Sequence, residues 1–231
     1  MNGSSTHKPR PMVDLIVSIV LPSLILMKLS GEEELGASGG LIAALSFPLG
    51  WGIFELIKYK KFNFIALLGL VSVLLTGSIG LFELDSKWLA VKEAAIPAII
   101  GVAVLVSTFT PYPLIRALLF NADIIDVDTI KQRLEENNST AAFERSLMKA
   151  TYFVAGSFAF SAVMNYLLAR WIVVSPAGTT AFNEELGQMT LYSYPVIALP
   201  SMLITMGIFY YLIRTINKMT GLTLDDLVGK K

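Results

Sequence analysis

The 231-residue chain is 54% hydrophobic and only 16% charged, and its 18 basic and 18 acidic residues cancel to a formal net charge of zero. A soluble domain of this length needs more charge to solvate its surface, so the composition excludes an ordinary globular protein and implies several long apolar segments in a lipid bilayer. The absence of cysteine excludes disulfides and thiolate metal or nucleophile chemistry, and without a basic block nucleic acid is not expected as a partner.

Residues 1–11 form a short polar tail with Lys8 and Arg10, and the apolar run from Met12 to Leu29 lacks a small-residue cleavage signal. It reads as a retained first helix, kinked at Pro22, with Asp14 near its start. An acidic loop, Glu32 to Glu34, precedes a glycine-rich second span from about Leu35 to Ile57, in which Gly36 and Gly40 have the spacing that lets helix backbones approach. Lys58, Lys60 and Lys61 follow, in a very short loop before a third span from about Phe64 to Phe82. Short lysine-rich loops stay in the cytoplasm, and this one sets the topology by alternation.

The fourth span lies within WLAVKEAAIPAIIGVAVLVSTFTPYPLIRALL, Trp88 to Leu119, with charges at both mouths. A polar stretch of about 25 residues then returns to the cytoplasm. Asp126 or Asp128 can cap a helix over DTIKQRLEE, which breaks at Asn137 and Asn138 before STAAFERSLMKA resumes as a helix leading into a fifth span. This connector is read either as an amphipathic segment lying on the headgroups or as a docking surface for a partner. The fifth span covers about Leu147 to Val174, SPAGTTAFNEELGQ is an external loop, and a sixth span runs from about Thr190 to Ile213. The expectation is an all-α membrane protein, a six-transmembrane-helix bundle with both termini cytoplasmic. Its parts are a tail (1–11), helices one to four (12–119), a cytoplasmic amphipathic connector (120–146), helices five and six (147–214) and a second tail (215–231).

Ionisable groups inside a span are expensive and usually mark function. Lys92 and Glu93 are neighbours, about 100° apart on a helix, so they are not expected to pair with each other, and Lys92 is close enough to Trp88 to snorkel outward. They are candidates for an outer vestibule or for interfacial anchoring. Glu55 and Lys58 are expected to pair locally, and Asp14 with Glu55 would make a cation or proton site only if both reached inward. Arg116 and Arg170 stand at headgroup depth. Of the deeper polar residues, Thr76, Ser78, Ser107, Thr108 and Asn165, the last is expected to bond across helices. The breakers Pro22, Pro48, Pro97, Pro195 and Pro200 interrupt the spans, as in the broken helices of transporters, but no inverted repeat is visible between the halves. No catalytic motif is present: no HExxH, GxSxG, Walker loop or Asp-rich magnesium motif, and the one histidine lies in the tail. Neither an enzyme nor a cofactor nor a metal is expected.

The order of features resembles a family. LPSLIL in the first span, PLGWGIFELIKYKKFN in the second, WLAVKEAAIPAIIG and LVSTFTPYPLIRALL in the fourth are similar to bacterial inner-membrane proteins of the intracellular septation protein A type and their uncharacterised relatives. Lys92 and the Pro113-Leu114-Ile115 triplet carry most of the likeness, and Asn165 matches a family asparagine. The resemblance implies a multi-pass inner-membrane protein that supports cell-envelope synthesis or division through contacts with other membrane proteins. The competing expectation is a small secondary transporter or channel, as a homo-oligomer, with a polar path near Lys92, Glu93 and Asn165.

Overall fold

The computed structural model describes residues 15–59, 64–110, 114–115 and 127–223, apart from the side chains of 55, 56, 58, 59 and 64–66. Among these residues the chain is helical, with no strand: α1 (Ile16–Lys28), α2 (Gly36–Tyr59), α3 (Phe64–Leu81), α4 (Lys87–Ser107), α5 (Val127–Glu136), α6 (Thr140–Ile172), α7 (Thr180–Ser193) and α8 (Leu199–Thr220). A π turn, Tyr194–Ala198, joins α7 to α8 in one helical run. α2, α4, α6 and this run are long and apolar enough to cross a membrane, as a multi-pass membrane protein requires, while α1 and α3 are shorter apolar helices. The chain divides into two units, Met1–Glu93 with Asn165–Tyr194 and Ala94–Met164 with Pro195–Lys231.

In the first unit α1 packs on α7 and α2, and α2 packs on α3. The contacts are close because glycines remove the side chain at the crossing points. A Cβ on Gly187 of α7 would fall 2.9 Å from the Ser23 carbonyl of α1, and one on Gly77 of α3 would fall 3.0 Å from a methyl of Leu45 on α2. Gly80 meets Leu41 in the same way. The helix ends are tied by polar groups. Asn183 of α7 donates to Ser30 Oγ at 3.0 Å and to the Ala37 carbonyl at 2.7 Å, and Thr180 Oγ1 donates to the Ser30 carbonyl at 3.0 Å. Glu83 of the α3–α4 turn lies beside Gly178, so the loops before α2, α4 and α7 meet at one end of this unit.

The second unit has its core at the other polar segment. Ile130 and Leu134 of α5, Phe143, Leu147 and Ala150 of α6, and Ile208, Leu212 and Ile216 of α8 form one buried cluster with Ile115 and Leu222. α5 is amphipathic, and its apolar face is covered by the protein's own helices. The apolar face, Ile130 and Leu134, is therefore not the one that headgroups or a partner would cover. The Asn137 side chain donates to the Met219 carbonyl at 2.8 Å and fastens the α5–α6 turn to the end of α8. The break at Asn137 and Asn138 falls where expected, Asn138 taking a φ of 50°.

Two span boundaries differ from the sequence reading. α4 ends at Ser107 rather than running on toward Leu119, because Ser107, Thr108 and Thr110 turn their hydroxyls onto backbone carbonyls three residues back and the residues beyond Ser107 close into tight turns. Residues read as the external SPAGTTAFNEELGQ loop include the start of α7 at Thr180. Thr179 caps that helix, its Oγ1 accepting from the Phe182 amide at 3.1 Å, and Glu185 of α7 accepts from the amides of Val174 and Ser175 beyond the end of α6.

A short repeat becomes visible once the turns are known. Ile19-Val20-Leu21-Pro22-Ser23 and Ile197-Ala198-Leu199-Pro200-Ser201 share the pattern I-x-L-P-S, and in both the five residues before the leucine or ending beside it form a π turn, Ile16–Val20 and Tyr194–Ala198. Proline lacks an amide and its ring crowds the carbonyl four residues back, which widening the preceding turn relieves.

Candidate functional site

Of the described ionisable candidates, Lys92 is the most buried. It lies five residues inside α4, and at about 1.5 Å per residue its Cα is about 8 Å below the start of that helix. The side chain crosses to α3, where the ammonium donates to Thr76 Oγ1 at 2.8 Å and to Ser72 Oγ at 3.2 Å. Glu93 Oε1 stands 2.6 Å from the same nitrogen. These three partners engage all three protons of the ammonium.

The depth of the site follows from α3. Ser72 is at the middle of its 18 residues, and Thr76 is one turn nearer the Leu81 end. The positive charge therefore sits between mid-helix and about 8 Å from its end, below the level of headgroups for a helix of about 27 Å in a hydrocarbon layer of about 30 Å. Lys92 is 8% exposed, and Glu93 24%. Two expectations are corrected here. Lys92 does not snorkel outward, because Ser72 and Thr76 offer it oxygen inside the helix pair. Lys92 and Glu93 do pair, despite the 100° between their Cα–Cβ directions, because long side chains bend toward each other around the helix. The opposite charges cancel locally, and the polar atoms are satisfied by helix contacts.

Thr76 is itself 7% exposed and donates to the Ser72 carbonyl at 3.1 Å, so its hydroxyl accepts from Lys92 and donates to the backbone at once. Sequence reading singled out Thr76 but missed Ser72. The available signal was two hydroxyls one turn apart in an otherwise apolar helix, a stripe suited to meet a polar side chain from the next helix.

Of the other candidates, Asn165 lies half-buried on α6. Arg170 is exposed at the end of α6, where its charge and that of Lys87 act on Asp85. Asp14 and Arg116 lie outside the described residues, as do the side chains of Glu55 and Lys58. Gly40 does serve close packing, since a Cβ there would collide with Ser30, but its neighbour is the loop before α2 and not a second span. Gly36 has no such contact; its φ of 69° makes the turn into α2, a conformation that glycine adopts without strain. Among the described residues no group of three or more His, Cys, Asp or Glu is placed to hold a metal.

A comparison of the chain with family models, with curated proteins and with solved structures finds no match.

Proposed function

We propose that this is a bacterial inner-membrane protein of the septation protein A type, a non-catalytic protein that supports cell-envelope synthesis or division through contacts with membrane partners. In this reading six helices span the bilayer and both termini are cytoplasmic. The loops before α2, α4 and α7 that meet in the first unit would be external, and the α5–α6 turn and the end of α8, bonded through Asn137 in the second unit, would be cytoplasmic. The lysine cluster at residues 58–61 argues for the same orientation.

The observation that carries the reading is the state of Lys92. A transport path needs ionisable groups that face water and exchange partners, whereas this ammonium is buried against Ser72, Thr76 and Glu93 in a helix contact. Polar groups used in this way stabilise a bundle and leave its apolar outer faces free for association. α2 presents such a face through Ile42 and Ile53.

Photo-crosslinking in native membranes tests it, with the crosslinker at Ile42 and Ile53 of α2 and at Lys131 and Glu135 on the polar face of α5. The expected result is specific adducts with envelope-synthesis or division proteins. Adducts with lipid and with the chain itself alone, where a known membrane complex does crosslink, would overturn it and favour the transporter reading.

A further inference from the structure

The second unit encloses a cavity of about 230 Å³ between α6 and α8, walled mainly by Ile115, Val154, Phe158, Ile208, Phe209 and Leu212. Four hydroxyl residues also line it: Ser157 and Ser161 one turn apart on α6, and Ser201 and Thr205 one turn apart on α8. Among the described residues, no charged side chain does. Ser201 Oγ is buried and, among the described residues, has no hydrogen-bond partner. The cause is local. A helical serine ordinarily bonds the carbonyl four residues back, here that of Ile197, which belongs to the π turn Tyr194–Ala198. Ser23, the equivalent of Ser201 in the I-x-L-P-S repeat, also lacks a partner, but α7 covers it at the Gly187 contact. The α8 copy of the same device lines a cavity instead; its Oγ is covered as it stands and, with no bond to break, can turn about χ1 to meet a ligand there.

Depth decides what can reach it. Counting at about 1.5 Å per residue, Ser157 and Ser161 lie about 12 and 18 Å beyond Lys149 on α6, and Thr205 and Ser201 about 14 and 20 Å before Arg214 on α8. With charges marking the edge of a hydrocarbon layer about 30 Å thick, the four hydroxyls straddle its middle. Phospholipid headgroups and their ester oxygens do not reach that level, and among the described residues an ion would find no countercharge there. At roughly 30 Å³ per packed non-hydrogen group, about the share of a liquid water, the cavity takes roughly eight such groups, a chain segment with one polar atom.

We propose that this cavity binds an uncharged lipid that dissolves in the hydrocarbon layer and carries a single hydroxyl or carbonyl oxygen, which pairs with Ser201 while the chain lies against Val154, Phe158 and Phe209. Membrane interior hydroxyls of this kind gain by meeting any polar partner, because the surrounding lipid offers none.

The probe is hexadecanol bearing a diazirine and a terminal alkyne, photolysed with the full chain in phosphatidylcholine nanodiscs. A phosphatidylcholine with the same diazirine in one acyl chain, at the same mole fraction, is the comparison. The alcohol is expected to label peptides containing Ser157–Ser161 and Ser201–Thr205 several-fold more than the phospholipid does, and unlabelled hexadecanol should compete. Ser201→Ala, which removes only the hydroxyl, should lower that labelling roughly threefold, the loss of one hydrogen bond in a membrane interior. Thr205→Leu, which fills the cavity, should abolish the excess. Equal labelling by the two lipids means ordinary annular contact and overturns the proposal. So does label confined to the outward Met206 and Tyr210, or an absence of label because a second copy closes the cavity.

Discussion

Lys92 Nζ donates to Thr76 Oγ1 at 2.8 Å, and the Thr76 hydroxyl donates in turn to the Ser72 carbonyl, so an ammonium, a side-chain hydroxyl and a helix backbone form one hydrogen-bonded chain across α4 and α3. A double-mutant cycle with Lys92→Met and Thr76→Val isolates this link. Interhelical hydrogen bonds in membranes average about 0.6 kcal/mol and reach about 1.7. A coupling near the upper end is expected here because one partner is charged, measured by steric trapping in bilayers.

Removing the cation alone is worse than removing the pair. Lys92→Met leaves the Glu93 carboxylate, three-quarters buried, without its partner, and about 2 kcal/mol of stability should be lost, below the 3–5 kcal/mol of a fully buried pair because Glu93 keeps some exposure. The double substitution with Glu93→Gln should recover most of the loss. If the single and double variants unfold alike, the ion pair is not what Lys92 contributes.

The clasp where the loops before α2, α4 and α7 meet rests on Asn183, which is 1% exposed and holds Ser30 Oγ and the Ala37 carbonyl. Asn183→Leu strands both acceptors, with an expected loss of about 1–3 kcal/mol. Gly40→Ala should destabilise the same region by forcing Ser30 away. Limited proteolysis of the loop before α2 would report both.

On the cytoplasmic side of the proposed topology, Leu134→Ala should lower the stability of the α5 docking by about 2–4 kcal/mol, as for other buried leucines. Hydrogen exchange should then accelerate across Val127–Glu136 with little change in the first unit. Lys131→Ala on the exposed face should leave exchange unchanged.

Asp85 heads α4: its Oδ1 accepts from the Lys87 amide at 2.9 Å and Oδ2 pairs with Lys87 Nζ at 2.8 Å. The Lys87 side chain, then its amide, hold the carboxyl below its ordinary 3.8. The sign is that of a depressed carboxylate: its contribution is intact above pH 3.8 and fades as pH falls through the lower folded value. Stability should therefore not respond to Asp85 between pH 5 and 8, and Lys87→Ala should move its titration upward toward 3.8 by NMR.

The helices were largely legible because twenty-residue apolar runs have few alternatives, and the turn at Asn137 and Asn138 could be placed from the residue types. What was not legible depended on neighbours. Adjacency on a helix wheel misjudged Lys92 and Glu93 because it ignores side-chain length and the hydroxyls of α3. Amphipathicity identified the apolar face of Val127–Glu136 but not its cover, which is supplied by α6 and by α8, some 80 residues away. The I-x-L-P-S repeat was in plain view, yet its meaning lay in π turns that no pattern of apolar residues reports.

The central claim is that the charge in α4 is spent in a dry helix contact. The chain has no cysteine, so Ser72→Cys, which exchanges one small side chain for another beside Lys92, can be probed by water-soluble thiol reagents without background. Ser86→Cys in the α3–α4 loop serves as the reactive control. Unreactive Cys at position 72 from both sides of the membrane, with position 86 labelled from one side, is the predicted result. Ready labelling at 72 would place water at Lys92 and contradict the account.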